Sequence, residues 1–205
     1  TPTTSSAASD VYKRQIYSFV NGMSSDKLDI LEIPNFGSAM DRFNPDEAAR
    51  VHWTFDGPEI FKGGIRAMAN SSSEVIEKSG LTKEDIDILI PHQANLRIVE
   101  GLEKSLKLPN ATTIKKVHKY GNTSAASIPT ALVDALEAGE IKGGETAVFT
   151  AVGAGLSWGA CALRLGERTT PINTSDAKLP DFDGEAVDTI RKAIEYQIPE
   201  KKDLI

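Results

Sequence analysis

The chain has 205 residues, 40% of them hydrophobic, and a formal net charge of −6. That length and apolar content suit a packed core and exclude disorder over most of the chain. The acidic balance argues against nucleic-acid binding, which leaves a basic footprint, and no apolar run reaches the roughly 18 residues of a membrane-spanning helix. The single cysteine, Cys161, allows no internal disulfide, and no Cys/His spacing suits zinc. No metal is therefore expected, and a reducing compartment is the simplest setting. Thr1 to Asp10 lacks the basic and apolar regions of a secretory signal, so the expected location is cytoplasmic.

Residues 1–15 are rich in Ser, Thr and Ala, are non-periodic and read as a tail outside the fold. From Ile16 to Asn44 the pattern is mixed. Leu28 to Ile33 predicts a short strand closed by Pro34, and Val51 to Phe55 a second. Asp56-Gly57-Pro58 opens a helix. Ile60, Phe61, Ile65, Met68, Val75 and Ile76 carry its apolar stripe, and Gly80 its stop. Gly63-Gly64 counts against that helix, since glycine lowers helix propensity. Thr82 to Asp85 predicts a capping box on one turn. Ile86 to Ile90 predicts a buried strand ended by Pro91. Asn95 to Leu106 predicts a helix with Leu96, Val99, Leu102 and Leu106 on one face.

Further along, Thr112 to Val117 predicts a strand, Tyr120 to Thr123 a turn, and Ser124 to Ala138 a helix followed by Gly139. Thr146 to Val152 and Leu156 to Leu165 predict two strands joined by Gly153-Ala154-Gly155, hence an antiparallel hairpin. Alternating strands and helices imply an α/β sheet covered on both faces. The composition shifts after Gly166 to a Pro- and Asp-containing linker. Ala186, Val187, Ile190, Ala193 and Ile194 then mark one amphipathic helix up to Gln197. The expected boundaries are a tail over 1–15, one domain over 16–166 and an extension over 167–205.

Three segments can carry chemistry. In Pro91-His92-Gln93-Ala94-Asn95 a histidine follows a strand end, where open α/β sheets bind ligands and an imidazole can exchange a proton near neutrality. The same histidine could equally cap the next helix or satisfy a buried carbonyl. In Gly121-Asn122-Thr123-Ser124-Ala125-Ala126-Ser127 the Asn122 amide can donate to an oxygen, and the small residues permit close approach. An asparagine turn with a serine cap would look the same. The Gly153-Ala154-Gly155 turn could present backbone N–H groups as an oxyanion hole, or be only a hairpin turn. Cys161, in an alternating strand with no adjacent histidine, reads as a buried structural thiol. His52 and His118 read as structural or surface residues.

Taken together, PHQANLR, GNTSAAS about thirty residues on, and a small-residue turn before SWGACALRL resemble the C-terminal half of the β-ketoacyl-acyl-carrier-protein synthase III family, of the thiolase superfamily. FDGPEIFK upstream resembles that family's helix entry, and the resemblance runs from about Ile16 to Leu165. It implies a thiolase-like layered α/β fold, here a C-terminal half with a mixed sheet flanked by helices.

The resemblance also implies an acyltransferase of fatty-acid initiation. Its substrates would be an acyl-CoA and malonyl-acyl-carrier protein, and no cofactor is implied. A cysteine in the other half would take the acyl group, while His92 and Asn122 stabilise the enolate left when malonyl loses CO₂. Ala154, in place of the middle glycine of the family's Gly-Gly-Gly turn, would offer a backbone N–H to the acyl oxyanion. Val152 and Leu156 stand where the family often has phenylalanine, a departure that bears on the shape of the acyl pocket. Phe61, Ala94, Asn95 and Gly153 match substrate- and pantetheine-binding positions. Lys62, Arg97 and Lys104 match or approximate a patch that docks the acyl carrier protein, or form a solvated helix face. The resemblance implies a subunit built from two similar halves that forms a homodimer when complete, so the expected partners are the missing N-terminal half and a second copy, with no nucleic acid and no membrane. Without the nucleophile half the chain is expected to be inactive alone. The alternatives are a related condensing enzyme of secondary metabolism and a non-catalytic binding or dimerisation module.

Overall fold

The computed structural model describes residues 15–26, 28–33 and 54–170, together with Gly184, Glu185, Val187, Asp188 and Arg191. The tail over 1–14, Val51 to Trp53 with His52, most of the linker and most of the expected C-terminal helix lie outside the described residues. The chain divides into two compact units, Thr1–Leu28 with Asp56–Ile172, and Asp29–Phe55 with Asn173–Ile205.

The first unit holds a five-stranded mixed sheet in the order β1-β7-β6-β4-β5. Its strands are β1 (Gln15–Met23), β4 (Ile88–Pro91), β5 (Thr112–Thr113), β6 (Thr146–Gly153) and β7 (Ser157–Arg164). Strands β5, β4 and β6 are mutually parallel, while β7 and β1 add antiparallel. Side chains alternate between two helix layers. Leu89, Val148, Ala160 and Ala162 join Met68, Val75 and Ile76 of α1 (Gly57–Lys78) and Ile98, Leu102 and Leu106 of α2 (Leu96–Leu106). Ile88, Ile90 and Ala147 face the other way, onto Ala131 and Ala135 of α4 (Ser127–Glu137). The four segments predicted as strands from Ile86 onward thus share one sheet between helices.

Local chemistry accounts for most helix ends. Asp56 caps α1 by accepting the Glu59 N–H at 3.1 Å. After α1, Gly80 (φ +69°) lets its own N–H reach Glu77 O and the Leu81 N–H reach Ile76 O, a Schellman stop, and Gly139 closes α4 in the same way. The capping turn at Lys83–Asp85 forms, with the Asp85 carboxylate accepting from Thr82 N–H (2.7 Å) and Thr82 Oγ1–H (2.8 Å). The glycine pair that counted against α1 has a packing reason. A Cβ on Gly63 would stand 3.0 Å from Leu156 and one on Gly64 3.4 Å from Val152, so the pair lets α1 lie close to the β6–β7 turn.

Several expectations are corrected. The start of the mixed stretch, Ile16 to Met23, belongs to the edge strand β1. Only Val20 of that strand is buried and Phe19 is 64% exposed, so no alternation marks it. Leu96 is 44% exposed, and Ile98 takes its place on the buried face of α2. The strand from Thr112 is two residues long. The Gln93 side chain takes over the N–H groups of Lys116 and Val117, and a short helix, α3 (Val117–Tyr120), follows. The helix expected from Ser124 starts as a 3-10 turn, and the α-helix begins only at Ser127. Pro129 falls in its first turn, where a missing N–H costs nothing.

In the second unit Leu31–Glu32 (β2) pairs antiparallel with Thr54–Phe55 (β3). The strand predicted over Leu28 to Ile33 begins instead as a 3-10 turn at Leu28–Ile30. Val187, Asp188 and Arg191 are helical, with an Arg191–Asp188 ion pair at 3.1 Å.

Candidate active site

The parallel strands β4, β5 and β6 end at one edge of the sheet, and each is followed by a segment singled out above. His92 follows β4, the stretch leading to Asn122 follows β5, and Gly153 and Ala154 end and follow β6. The His92 N–H continues the β4–β6 ladder to Thr150 O at 2.8 Å, which fixes the histidine backbone against β6.

The His92 ring is half-buried, and its Nδ1 lies 2.7 Å from Oγ of Ser127, the first residue of α4. The same Oγ accepts the Gln93 N–H at 3.3 Å. Among the described residues Nε2 has no hydrogen-bond partner. Burial pushes the His92 pKa below its ordinary value, so the ring is neutral near pH 7. Gln93 is 2% exposed and spends its whole amide on the backbone. Nε2–H₂ donates to Pro91 O (2.7 Å) and Ile114 O (3.2 Å), while Oε1 accepts from Lys116 N–H (2.8 Å) and Val117 N–H (3.1 Å). This one side chain ties the histidine-bearing strand end to the segment that leads to Asn122.

Asn122 lies in an exposed loop after α3. Its Oδ1 accepts the Ser124 N–H at 2.9 Å, which settles the amide orientation and leaves Nδ2–H₂ without a partner among the described residues. The loop returns to Ser127 through a 3-10 turn whose first residue, Ser124, has φ +53°. It is anchored from α4 by Asp134, whose carboxylate meets Lys119 Nζ (2.5 Å), Lys116 Nζ (2.9 Å) and Tyr120 O–H (2.6 Å). Lys116 also pairs with Glu140 at 2.7 Å. Lys119, Tyr120 and Lys116 hold the Asp134 carboxyl far below the usual carboxylate range. Asn122 is thus secured on both sides, by α3 through Asp134 and by Ser127, which touches His92.

At the third segment Ala154 is exposed, and its carbonyl accepts Ser157 Oγ–H at 3.0 Å. Gly153 makes the last β6–β7 pair, with Ser157. Phe61 stands near this edge. It opens the same stretch of α1 as Gly63 and Gly64, which abut Leu156 and Val152, and its ring tip lies 3.9 Å from where a Cβ on Gly101 would stand. Ala94 is half-buried against the α1–α2 core. Asn95 caps α2 by accepting the Ile98 N–H at 2.9 Å, so its carbonyl oxygen is already engaged. Lys62, Arg97 and Lys104 are exposed, and helical spacing places Arg97 and Lys104 on the Gly101 face of α2, beside α1.

Cys161 is half-buried rather than fully buried, because its face of β7 pairs with exposed Phe19 of the edge strand. Burial still raises its thiol pKa, the reverse of an activated nucleophile. His118 is exposed on α3. Among the described residues no three His, Cys, Asp or Glu side chains gather as metal donors, and no helix is long and apolar enough to cross a membrane. The sequence reading missed Gln93, Ser127, Lys116 and Asp134. None of the four had a signal in the spacing of polar residues, because each works through partners distant in the chain.

Residues 76–165 match the family model for the C terminal of 3-oxoacyl-[acyl-carrier-protein] synthase III. A β-ketoacyl-[acyl-carrier-protein] synthase III 2 of Vibrio cholerae is 46% identical over 177 residues, 85% of this chain and 48% of that protein. The solved 3-oxoacyl-(acyl carrier protein) synthase III of Pseudomonas aeruginosa superposes with a TM-score of 0.65 at 32% identity, over 76% of this chain and 45% of that one. A priming β-ketosynthase of a polyketide pathway gives 0.68 at 31% identity, over 74% and 45%. The chain spans about half the length of the curated relatives it matches. The chain corresponds to the C-terminal region of the β-ketoacyl-acyl-carrier-protein synthase III family.

Proposed function

We propose that this chain supplies the decarboxylation machinery of a condensing acyltransferase, which joins malonyl-acyl-carrier protein to an acyl group drawn from an acyl-CoA. The observation that carries the reading is the state of the two donors. His92 is held by Nδ1 with Nε2 unengaged, and Asn122 is held by Oδ1 with Nδ2 unengaged. Two N–H groups aimed at the malonyl thioester oxygen are of most value as charge develops there. The bond to the carboxylate breaks, CO₂ leaves, and the electron pair becomes an enolate. The enolate carbon attacks the acyl thioester carbonyl, and the thiolate of a cysteine in the other half departs. Ala154 N–H serves the acyl oxyanion. Phe61, Ala94, Asn95 and Gly153 flank the pantetheine arm, and Lys62, Arg97 and Lys104 face the carrier protein.

The unit that carries the five-stranded sheet acts as one half of a two-half subunit that dimerises, and the chain alone does not condense. The likeness to a polyketide priming enzyme, with Val152 and Leu156 packed against α1, favours one second reading, a condensing enzyme of secondary metabolism.

The test joins this segment to a cysteine-bearing N-terminal half and separates the two half-reactions. H92A and N122A each lower malonyl decarboxylation by about 100- to 1000-fold, the usual cost of one such donor, while acyl transfer to the cysteine falls far less. Variants that decarboxylate at the parent rate and fail only in acylation contradict the assignment, as would a non-catalytic module that shows neither reaction.

A further inference from the structure

We infer that Ser127 is a positioning residue that decides which nitrogen of His92 carries the proton. It does so by donating its hydroxyl hydrogen to Nδ1 and leaving Nε2 as the N–H.

Ser127 is 3% exposed, so water does not complete its hydrogen bonding. Its Oγ has two partners among the described residues, the Gln93 N–H at 3.3 Å and His92 Nδ1 at 2.7 Å. The first is a peptide donor and can only give. A serine oxygen can accept twice but carries one hydrogen of its own. If Nδ1 were protonated, Oγ would receive two N–H donors and its own hydrogen would have no acceptor, an arrangement folded proteins avoid at buried sites. If Nδ1 is bare, every group is satisfied: Gln93 N–H gives to Oγ, and Oγ–H gives to Nδ1. The ring is neutral because burial disfavours its charged form, so its single hydrogen then resides on Nε2. The serine stays in place because it is the first residue of α4, and Gln93 is held by four further contacts of its amide.

The catalytic consequence rests on the proposed reading of His92 as a donor, since the wrong tautomer would present a lone pair, not a hydrogen, to the enolate oxygen. The tautomer itself does not depend on that reading, and neither does its measurement. The 205-residue chain is prepared with ¹⁵N-labelled histidine, and the His92 signals are identified by their absence in H92Q. The expected parent spectrum has a pyridine-like Nδ1 and a pyrrole-like Nε2 near neutral pH. In S127A the two shifts move toward each other as the tautomers mix, and S127T restores the parent pattern by restoring the hydroxyl. A pyrrole-like Nδ1 in the parent overturns the inference, and so does an S127A spectrum identical to the parent. The parent spectrum decides the first point even if S127A fails to fold. In the joined enzyme S127A should slow decarboxylation by roughly 10- to 100-fold, by analogy with groups that orient metal-bound imidazoles, with KM little changed and S127T recovering the rate. A correct tautomer combined with a harmless H92A would sink the proposed function and leave this inference standing. A wrong tautomer combined with a damaging H92A overturns this inference and leaves His92 needed for the reaction in some way other than a resting Nε2–H.

Discussion

The two donors of the site are held in opposite ways. His92 sits on buried ground: its backbone extends the β4–β6 ladder, its ring rests on Ser127, and Gln93 beside it is closed in by four backbone groups. Asn122 sits on an exposed loop and is fixed by one bond to the backbone two residues on. Its loop is steadied from a distance by the ion cluster at Asp134. One donor is therefore set by the core of the sheet and the other by charge and local backbone geometry. A pair with two independent anchors can be perturbed one member at a time.

The largest effect is expected at the buried anchor. Q93L removes the amide but leaves the Pro91 and Ile114 carbonyls and the Lys116 and Val117 N–H groups at the same place. One unpaired buried polar group costs about 1–3 kcal/mol. Partial repair by local movement leaves an expected loss on the order of 3 kcal/mol in urea unfolding. A loss within about 0.5 kcal/mol, the range of neutral surface changes, would mean that Gln93 does not join the two segments.

The second prediction concerns the charged anchor, and its readout is pH. The Asp134 carboxyl ionises far more readily in the folded chain than in the unfolded chain, because Lys119, Tyr120 and Lys116 favour the charged form. On acidification the unfolded chain takes up that proton first. The stability Asp134 contributes is therefore complete above the ordinary carboxylate range, about pH 4, and is lost as pH falls further. D134N should reduce stability near pH 7 and flatten the decline from about pH 5 downward. An unchanged acid limb would show that the cluster contributes nothing. The effect should also be smaller than that of Q93L, because Lys119 and Tyr120 are open to solvent.

The same contrast explains what could be read in advance. The strands and helices from Asp56 onward largely follow periodicity and punctuation that are local in the chain, and so does the position of His92 after a strand end; Asn122 was expected in the same setting but follows α3, because β5 stops at Thr113. Strand β1 escaped because an edge strand with one buried residue has no alternation to detect. The supports of the site escaped for a different reason. Ser127 lies 35 positions from His92, and the Gln93 amide reaches 21 to 24 positions along the chain. Such bonds exist only once β4, β5 and α4 have been brought together, and nothing in the spacing of polar residues announces them. Asp134 reads as an ordinary polar position on an amphipathic helix until α3 folds back onto it. Gly63 and Gly64 misled in the other direction, since a propensity cost argued against a helix whose packing requires them.

The central claim is that two differently anchored donors serve one oxygen. A double-mutant cycle on malonyl decarboxylation tests it most directly, with H92A, N122A and the double variant compared in the joined enzyme. Groups that act on the same charge are strongly non-additive. The account predicts that the double variant is no more than about 10-fold slower than the worse single variant. A double variant slowed by the full product of the two single losses would contradict it, because His92 and Asn122 would then be acting at separate places.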